Sequence, residues 1–264
     1  MSITTRRDVL KTLGAAGAAV GVGSASTAAG AQAAATPFLV AATTVPIVGS
    51  TQVFPVRRIY CIGRNYAAHA REMGADPTRE PPFFFQKPTD AIQLVPPGQT
   101  VDHPYPPLTK NYHYEIELVA ALHSGGRNIA PADALKHVFG YAVGLDMTRR
   151  DLQRAMGDEK KPWEIGKSFD KSAPIGPIHR VEETGHFTRG KIELYVNGKV
   201  KQSADLQQMI WNVAEQISKL SDAFELMAGD IIYSGTPENV GPVVRGDVMT
   251  GKIEKLPDIT VKVV

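Results

Sequence analysis

Residues 112–122, YHYEIELVAAL, place Glu115 and Glu117 inside a run whose other members read as a buried β-strand. Side chains on a strand alternate faces with a period of two, so the two acids share one face while Ile116 and Leu118 share the other. Carboxylates held that close repel unless a positive group sits between them. The run therefore allows two kinds of fold. Either one face of this strand is solvated, or the strand is interior and its acids hold a cation. Spacing alone favours the solvated face.

The surrounding chain is patterned for more strands. RRIYCI (57–62), the proline-bounded PPFFFQKP (81–88) and GYAVGLDMT (140–148) read as short strands. The last sets Tyr141, Val143 and Leu145 against Ala142, Gly144 and Asp146 on the opposite face. KIELYVNGKVKQ spells a hairpin, because Asn197-Gly198 suits a tight primed turn. NYAAHAREM (65–73) carries Ala-rich helical propensity. Leu206, Met209, Ile210, Val213, Ile217, Leu220 and Phe224 recur at three- and four-residue steps, which predicts one continuous helix. GDIIYSGTP and GKIEKLPDITVKVV return the C-terminal part to strand. Strands outnumber helices and do not alternate with them as a doubly wound sheet requires, and no Gly-rich phosphate loop opens a helix. The pattern predicts a β-rich α+β domain with a few covering helices.

At 264 residues and 43% hydrophobic content the chain can bury one large core. Its formal net charge is +2, and Arg6, Arg7 and Lys11 against Asp8 supply that excess at the N-terminus, so the body is neutral and carries no basic field for nucleic acid. Cys61 is the single cysteine, which excludes an internal disulfide and a cysteine metal cluster; its apolar neighbours mark a buried structural thiol. TTRRDVLK, a small-residue apolar stretch from Leu13 to Ala29 and AQA at 31–33 follow the order of an export signal, with paired arginines of the twin-arginine kind. Residues 1–33 are expected to be that signal, 34–55 an extended arm and 56–264 the functional domain. If the leader operates the protein is periplasmic, and otherwise cytoplasmic. The apolar block is short and rich in Gly and Ala, so no membrane span is expected.

Several residues stand out as candidates for chemistry. Glu115, Glu117 and Asp146 together offer three oxygen ligands to one hard cation such as Mg²⁺, with Mn²⁺ or Ca²⁺ as further occupants. His69 and Glu72 lie three apart in a predicted helix, where the carboxylate can orient the imidazole as a general base; an exposed ion pair is the commoner use of such spacing. Lys87 and Lys167 follow apolar, aromatic stretches and are either snorkelling surface lysines or buried charges for an anionic substrate. Arg150 and Gln153 follow Asp146 closely enough to place planar donors near the same cation. Thr236, in SGTPENVGP, offers a hydroxyl and a turn of N–H groups.

GRNYAAHARE, FFFQKP, YEIEL, LDMTRRDLQ, PWEIGKSFD and DIIYSGTPENVGPV, taken in this order, resemble the fumarylacetoacetate hydrolase family from about Phe54 to the C-terminus. The resemblance implies a mixed β-sandwich roll and a homodimer. It implies that Glu115, Glu117 and Asp146 bind Mg²⁺ or Mn²⁺, and that His69 and Glu72 activate water beneath a segment that orders over substrate. Lys167 matches the family's active-site lysine; Arg150, Gln153 and Thr236 match its substrate contacts. The shorter acylpyruvase-like branch fits best, which implies hydrolysis of a carbon–carbon bond in a 2,4-dioxo acid, fumarylpyruvate foremost. A decarboxylase or isomerase of related acids on the same metal site is the nearer alternative. An exported, non-catalytic carboxylate-binding protein is the more distant one.

Overall fold

The computed structural model describes residues 37–74 and 80–264. The expected signal, residues 1–33, lies outside them. Among the described residues no helix is long and apolar enough to cross a membrane.

The acidic run forms two strands rather than one. Tyr112–Tyr114 and Ile116–Leu122 are separate, with Glu115 at the joint. Tyr112–Tyr114 is the middle of a three-stranded sheet, between Thr148–Arg149 and Gly241–Val243. Ile116–Leu122 lies deep in a mixed eight-stranded sheet, antiparallel to Val138–Leu145 on one side and to Asp230–Tyr233 on the other. Arg58–Ile62 and Phe84–Lys87 extend that sheet beyond Asp230–Tyr233, while Ala173–Ile175 and Ile92–Leu94 extend it beyond Val138–Leu145. A five-stranded sheet covers one face; in order it runs Lys199–Asp205, Lys191–Val196, Val248–Ile253, Ile259–Val263 and Thr100–His103.

Both faces of the acidic strand are buried, which is why it reads as continuously apolar. Ile116, Leu118, Ala120 and Leu122 point into the main core with Ile192, Leu194, Ile253 and Val261. Val119 and Ala121 point the other way, into a second cluster with Val45, Phe54, Ile59 and Cys61. Glu117 shares their face, so its carboxylate is carried by an interior strand and the solvated-face reading does not hold. Cys61 is fully buried, and burial pushes its thiol well above the ordinary cysteine range, so it is inert.

Two expectations change. The compact unit runs from Ala41 to Val264. Part of the expected arm thus belongs to it: Thr44–Pro46 and Val53–Pro55 pair as a small antiparallel sheet, and Val45, Ile47 and Phe54 are buried in the second cluster. In the other unit only 37–40 are described, with Phe38, Leu39 and Val40 exposed. The expected helix over 206–224 is interrupted. Leu206–Gln208 is a 3₁₀ turn capped by Asp205, and the α-helix proper is Val213–Ala223, opened by a capping box of Asn212 and Glu215. Asn65 enforces the break by binding the Trp211 backbone at both its N–H (2.8 Å) and its carbonyl (2.9 Å), groups a continuous helix would use internally. The Asn197-Gly198 hairpin forms as expected, with φ of 51° and 76° at its two turn residues.

Candidate metal centre and active site

Sheet register assembles the three acids. Glu117 pairs with Gly144, Ile116 with Leu145, and the Asp146 N–H donates to the Glu115 carbonyl at 2.8 Å, so Asp146 leaves its strand beside the joint that carries Glu115. All three are buried, at 4%, 2% and 1% exposure. One carboxylate oxygen from each lies within 4.8 Å of the other two.

Three cations surround them. The Lys167 ammonium donates at 2.7 Å to each of Glu115 Oε2, Asp146 Oδ2 and Thr148 Oγ1. Arg150 Nη2 pairs with Glu115 Oε1, and Lys87 Nζ lies 2.9 Å from Asp146 Oδ1. The balance is uneven. Glu117 receives only the Gly235 N–H, at 2.9 Å, and no lysine or arginine among the described residues pairs with it. Asp146 Oδ1 has no donor aligned on it despite the nearby Lys87 charge. Burial, reinforced by the Asp146 and Glu115 charges, pushes the Glu117 carboxyl well above its ordinary range. Burial would also raise Glu115, but Lys167 and Arg150 hold it well below. Burial would lower Lys167, but Asp146 and Glu115 keep it above its ordinary value. An under-satisfied buried carboxylate, an oxygen without a donor and an all-oxygen set are what a hard divalent cation accepts.

The same cleft is lined by His69, Arg150, Gln153, Lys167 and Thr236 together with the three acids. His69 is carried by the short helix Ala67–Glu72 and is 5% exposed. Its Nδ1 lies 3.1 Å from Glu72 Oε2, which leaves Nε2 as the nitrogen for water or substrate. Glu72 is itself fixed, since the Asn239 N–H lies 3.1 Å from each of its oxygens. Burial raises the Glu72 carboxyl, but the His69 contact and the Asn239 and Val240 N–H groups outweigh it and hold it below the ordinary range. Arg150 and Gln153 lie one turn apart on Arg150–Asp158, and Arg150 Nη1 donates to Gln153 Oε1 at 2.6 Å. Arg150 Nε also reaches His113 Nδ1 at 3.4 Å, so the guanidinium is held from three sides.

Two candidates lie off this cleft wall: Glu72, which lines the wider cavity outside it behind His69, and Lys87. Lys87 lies beneath the acids. Its ammonium lies among Asp146, the Met147 carbonyl at 3.2 Å and the Lys167 carbonyl, where it fixes the acid and the Lys167 backbone. Two residues that sequence reasoning did not single out position the site. Gln202, fully buried, accepts from the Ile116 N–H at 3.0 Å and donates to Thr236 Oγ1 at 3.0 Å and the Pro237 carbonyl at 2.8 Å. Asn65 donates to the Ser234 carbonyl at 2.7 Å. Together they hold the turn whose Gly235 N–H reaches Glu117. Gly235 has φ of 94°, and a Cβ there would lie 2.6 Å from that of Asn65, so only glycine fits. The available signal for Gln202 was a polar residue in step with Val200 and Ala204 on a strand.

A family model described as "Fumarylacetoacetate (FAA) hydrolase C-terminal" matches residues 58–264. The chain belongs to the fumarylacetoacetate hydrolase family. The family's curled, mixed-sheet fold and its buried acidic metal site are the ones described above. Within the family, the chain is 43% identical over 188 residues to fumarylpyruvate hydrolase of Ralstonia sp, covering 71% of this chain and 95% of the relative. It is 37% identical over 207 residues to the mitochondrial oxaloacetate tautomerase of Homo sapiens, covering 78% and 91%. The crystal structure of fumarylpyruvate hydrolase from Pseudomonas aeruginosa, in complex with Mn²⁺ and pyruvate, superposes with a TM-score of 0.86 at 55% identity, covering 87% of this chain and 99% of that one.

Proposed function

We propose that this enzyme hydrolyses a carbon–carbon bond in a 2,4-dioxo acid, with fumarylpyruvate converted to fumarate and pyruvate. The observation that carries the reading is a buried three-carboxylate centre sharing one cleft with His69, which Glu72 orients from behind. The similarity to two fumarylpyruvate hydrolases supports it. Glu115, Glu117 and Asp146 would hold the divalent ion, Mg²⁺ first and Mn²⁺ or Ca²⁺ as alternatives. Once bound, the ion supplies Lewis-acid stabilisation of negative charge on the substrate's 2-oxo group.

The protein's own groups account for the rest. His69, oriented through Nδ1 by Glu72, takes a proton at Nε2 from the water that attacks the 4-carbonyl. Lys167 is a buried ammonium whose charge faces the developing oxyanion, and it is held in place by three acceptors. The C3–C4 electron pair then leaves with the pyruvyl fragment, the acyl fragment departs as fumarate, and the proton held by His69 is available to C3. Arg150, Gln153 and Thr236 line the cleft and orient the acid groups. Lys87, Lys167 and Arg150 equal the three carboxylates in formal charge, although they pair only with Glu115 and Asp146, so a divalent ion seated at Glu117 leaves the centre with an excess of two positive charges, which suits a dianionic substrate. A homodimer is the proposed assembly. Export through the leader is the proposed route, with a cytoplasmic location if the leader does not operate.

The test is turnover of fumarylpyruvate by the purified protein with Mg²⁺, read as fumarate and pyruvate. Activity should vanish on chelation and return with the ion, and His69→Ala should lose at least about 10²-fold in kcat. Full activity in chelator would defeat the reading. The similarity to an oxaloacetate tautomerase supports a second reading, enolisation or decarboxylation of oxaloacetate. Release of CO₂, or enol–keto exchange without cleavage products, would favour it.

A further inference from the structure

We propose that Arg64 recognises a second carboxylate at the far end of the substrate's acyl chain, which makes the enzyme selective for dicarboxylic over monocarboxylic acylpyruvates. The inference rests on the dioxo-acid reading above. Arg64 follows the strand Arg58–Ile62 and precedes the helix that carries His69. Its φ is 54°, a left-handed conformation that glycine adopts freely and an arginine does not. Strain of this kind in a cleft wall points to a side chain retained for its chemistry.

The surroundings of the guanidinium agree. Its central carbon lies 5.6 Å from the Phe83 ring centre and 5.8 Å from that of Trp163. Those rings meet edge to face at 5.3 Å, and Phe83 is seated on Gly63 so closely that a Cβ there would come within 2.0 Å of the ring. The two rings thus flank the exposed guanidinium without using its N–H donors. Among the described residues no carboxylate forms an ion pair with Arg64. A planar fork beside two rings and without an ion-pair partner is matched by a carboxylate taking two parallel hydrogen bonds.

Position links the fork to the reacting centre. Arg64 lines the cleft of the three acids and also the wider cavity outside it, where Arg64, Arg154, Lys160 and Lys161 outnumber the carboxylates of Glu72 and Asp158. A substrate whose dioxo end lies at Glu115, Glu117 and Asp146 extends its acyl chain toward this cationic mouth. A neutral chain gains nothing from it. A chain ending in carboxylate does.

Matched ligand pairs test this on the full chain loaded with Mg²⁺. Calorimetry with 2-oxoheptanedioate and 2-oxoheptanoate, which match the chain length of fumarylpyruvate and differ only in the terminal carboxylate, should show Arg64→Gln weakening the first about 10²-fold and the second no more than about threefold. The same split is expected in kcat/KM for fumarylpyruvate against acetylpyruvate. Arg64→Gly should show the same loss with a melting temperature no more than about 2 °C below wild type, because glycine relieves the positive φ. Equal loss on both members of a pair overturns the assignment. So does undiminished binding of the dicarboxylate, or a wild-type protein that binds the two oxo acids equally or binds neither. Failure of the wild type to cleave either acylpyruvate strikes the hydrolase reading alone, since the binding pair still decides the role of Arg64.

Discussion

Gln202→Leu is a sharp probe of how the metal centre is held, because it removes every polar contact of one buried residue while keeping most of its volume. Gln202 is fully buried and bonds to Ile116, the residue between the two acids, and to Thr236 and Pro237 in the turn that supports Glu117. The substitution leaves the Ile116 N–H without a partner in the core, at about 1–3 kcal/mol, and takes a donor from the Thr236 hydroxyl and the Pro237 carbonyl, at about 1 kcal/mol more. Extra apolar burial of leucine offsets part of this, so a net cost of about 2–3 kcal/mol is expected. For a unit of this size that is a fall in melting temperature of roughly 4–12 °C. Since Ile116 lies between Glu115 and Glu117, loss of its anchor should also loosen the ligands, weakening Mn²⁺ about 10-fold or more by calorimetry. A melting temperature within about 2 °C of wild type would refute the energetic reasoning. A normal loss of stability with unchanged Mn²⁺ affinity would refute the positioning role.

Lys87→Met removes a buried ammonium from Asp146 and leaves that carboxylate short of countercharge, which costs about 3–5 kcal/mol without metal. The melting difference from wild type should be largest in chelator and shrink on adding Mg²⁺; an equal gap in both conditions would show that Asp146 does not face the ion. His103 lies between Gln93 Oε1 and the Tyr112 hydroxyl, at 2.5 Å from each, and burial, aided by the Lys171 charge, lowers it from 6.5 to about 4. A folded-state value below the unfolded one means that the unfolded chain takes the proton first. The histidine's contribution is therefore complete above pH 6.5 and is lost as pH falls toward 4, by about 3 kcal/mol in all. Urea unfolding across that window should show a steeper pH slope for wild type than for His103→Asn, and equal slopes would contradict the assignment.

The parts of the site visible in the sequence are those written in local spacing. Glu115 and Glu117 are two apart on extended backbone, and His69 and Glu72 are three apart on a helix, so one period locates each pair without any fold. Asp146 needed one further step, the alternation of its own strand. What spacing could not carry was register between distant segments. Gln202 reaches the acids only because its hairpin lies in the covering sheet, and its separation from Ile116 in sequence hides the contact. The helix expected over 206–224 failed for the same reason: its three- and four-residue steps are real, but Asn65, more than 140 residues earlier, takes the Trp211 backbone groups that would have continued it.

Lys87 shows the limit from the other side. An aromatic stretch before a lysine indicates burial, and the ammonium is buried, at 3% exposure for the residue. Burial does not say which anion it meets. The answer depends on strand order: Phe84–Lys87 is the edge neighbour of Arg58–Ile62, and Ile59 pairs with Lys87, which directs this lysine beneath Asp146 instead of into the cleft. The split at Glu115 follows the same logic. A continuous strand would keep its two acids at fixed spacing on one sheet. By leaving one sheet and entering another at Glu115, the chain brings that carboxylate within reach of Lys167 and Arg150 while Glu117 remains without a cation. That asymmetry separates a metal centre from a salt-bridge cluster, because a set of acids already fully matched by lysine and arginine would offer a divalent ion nothing to satisfy.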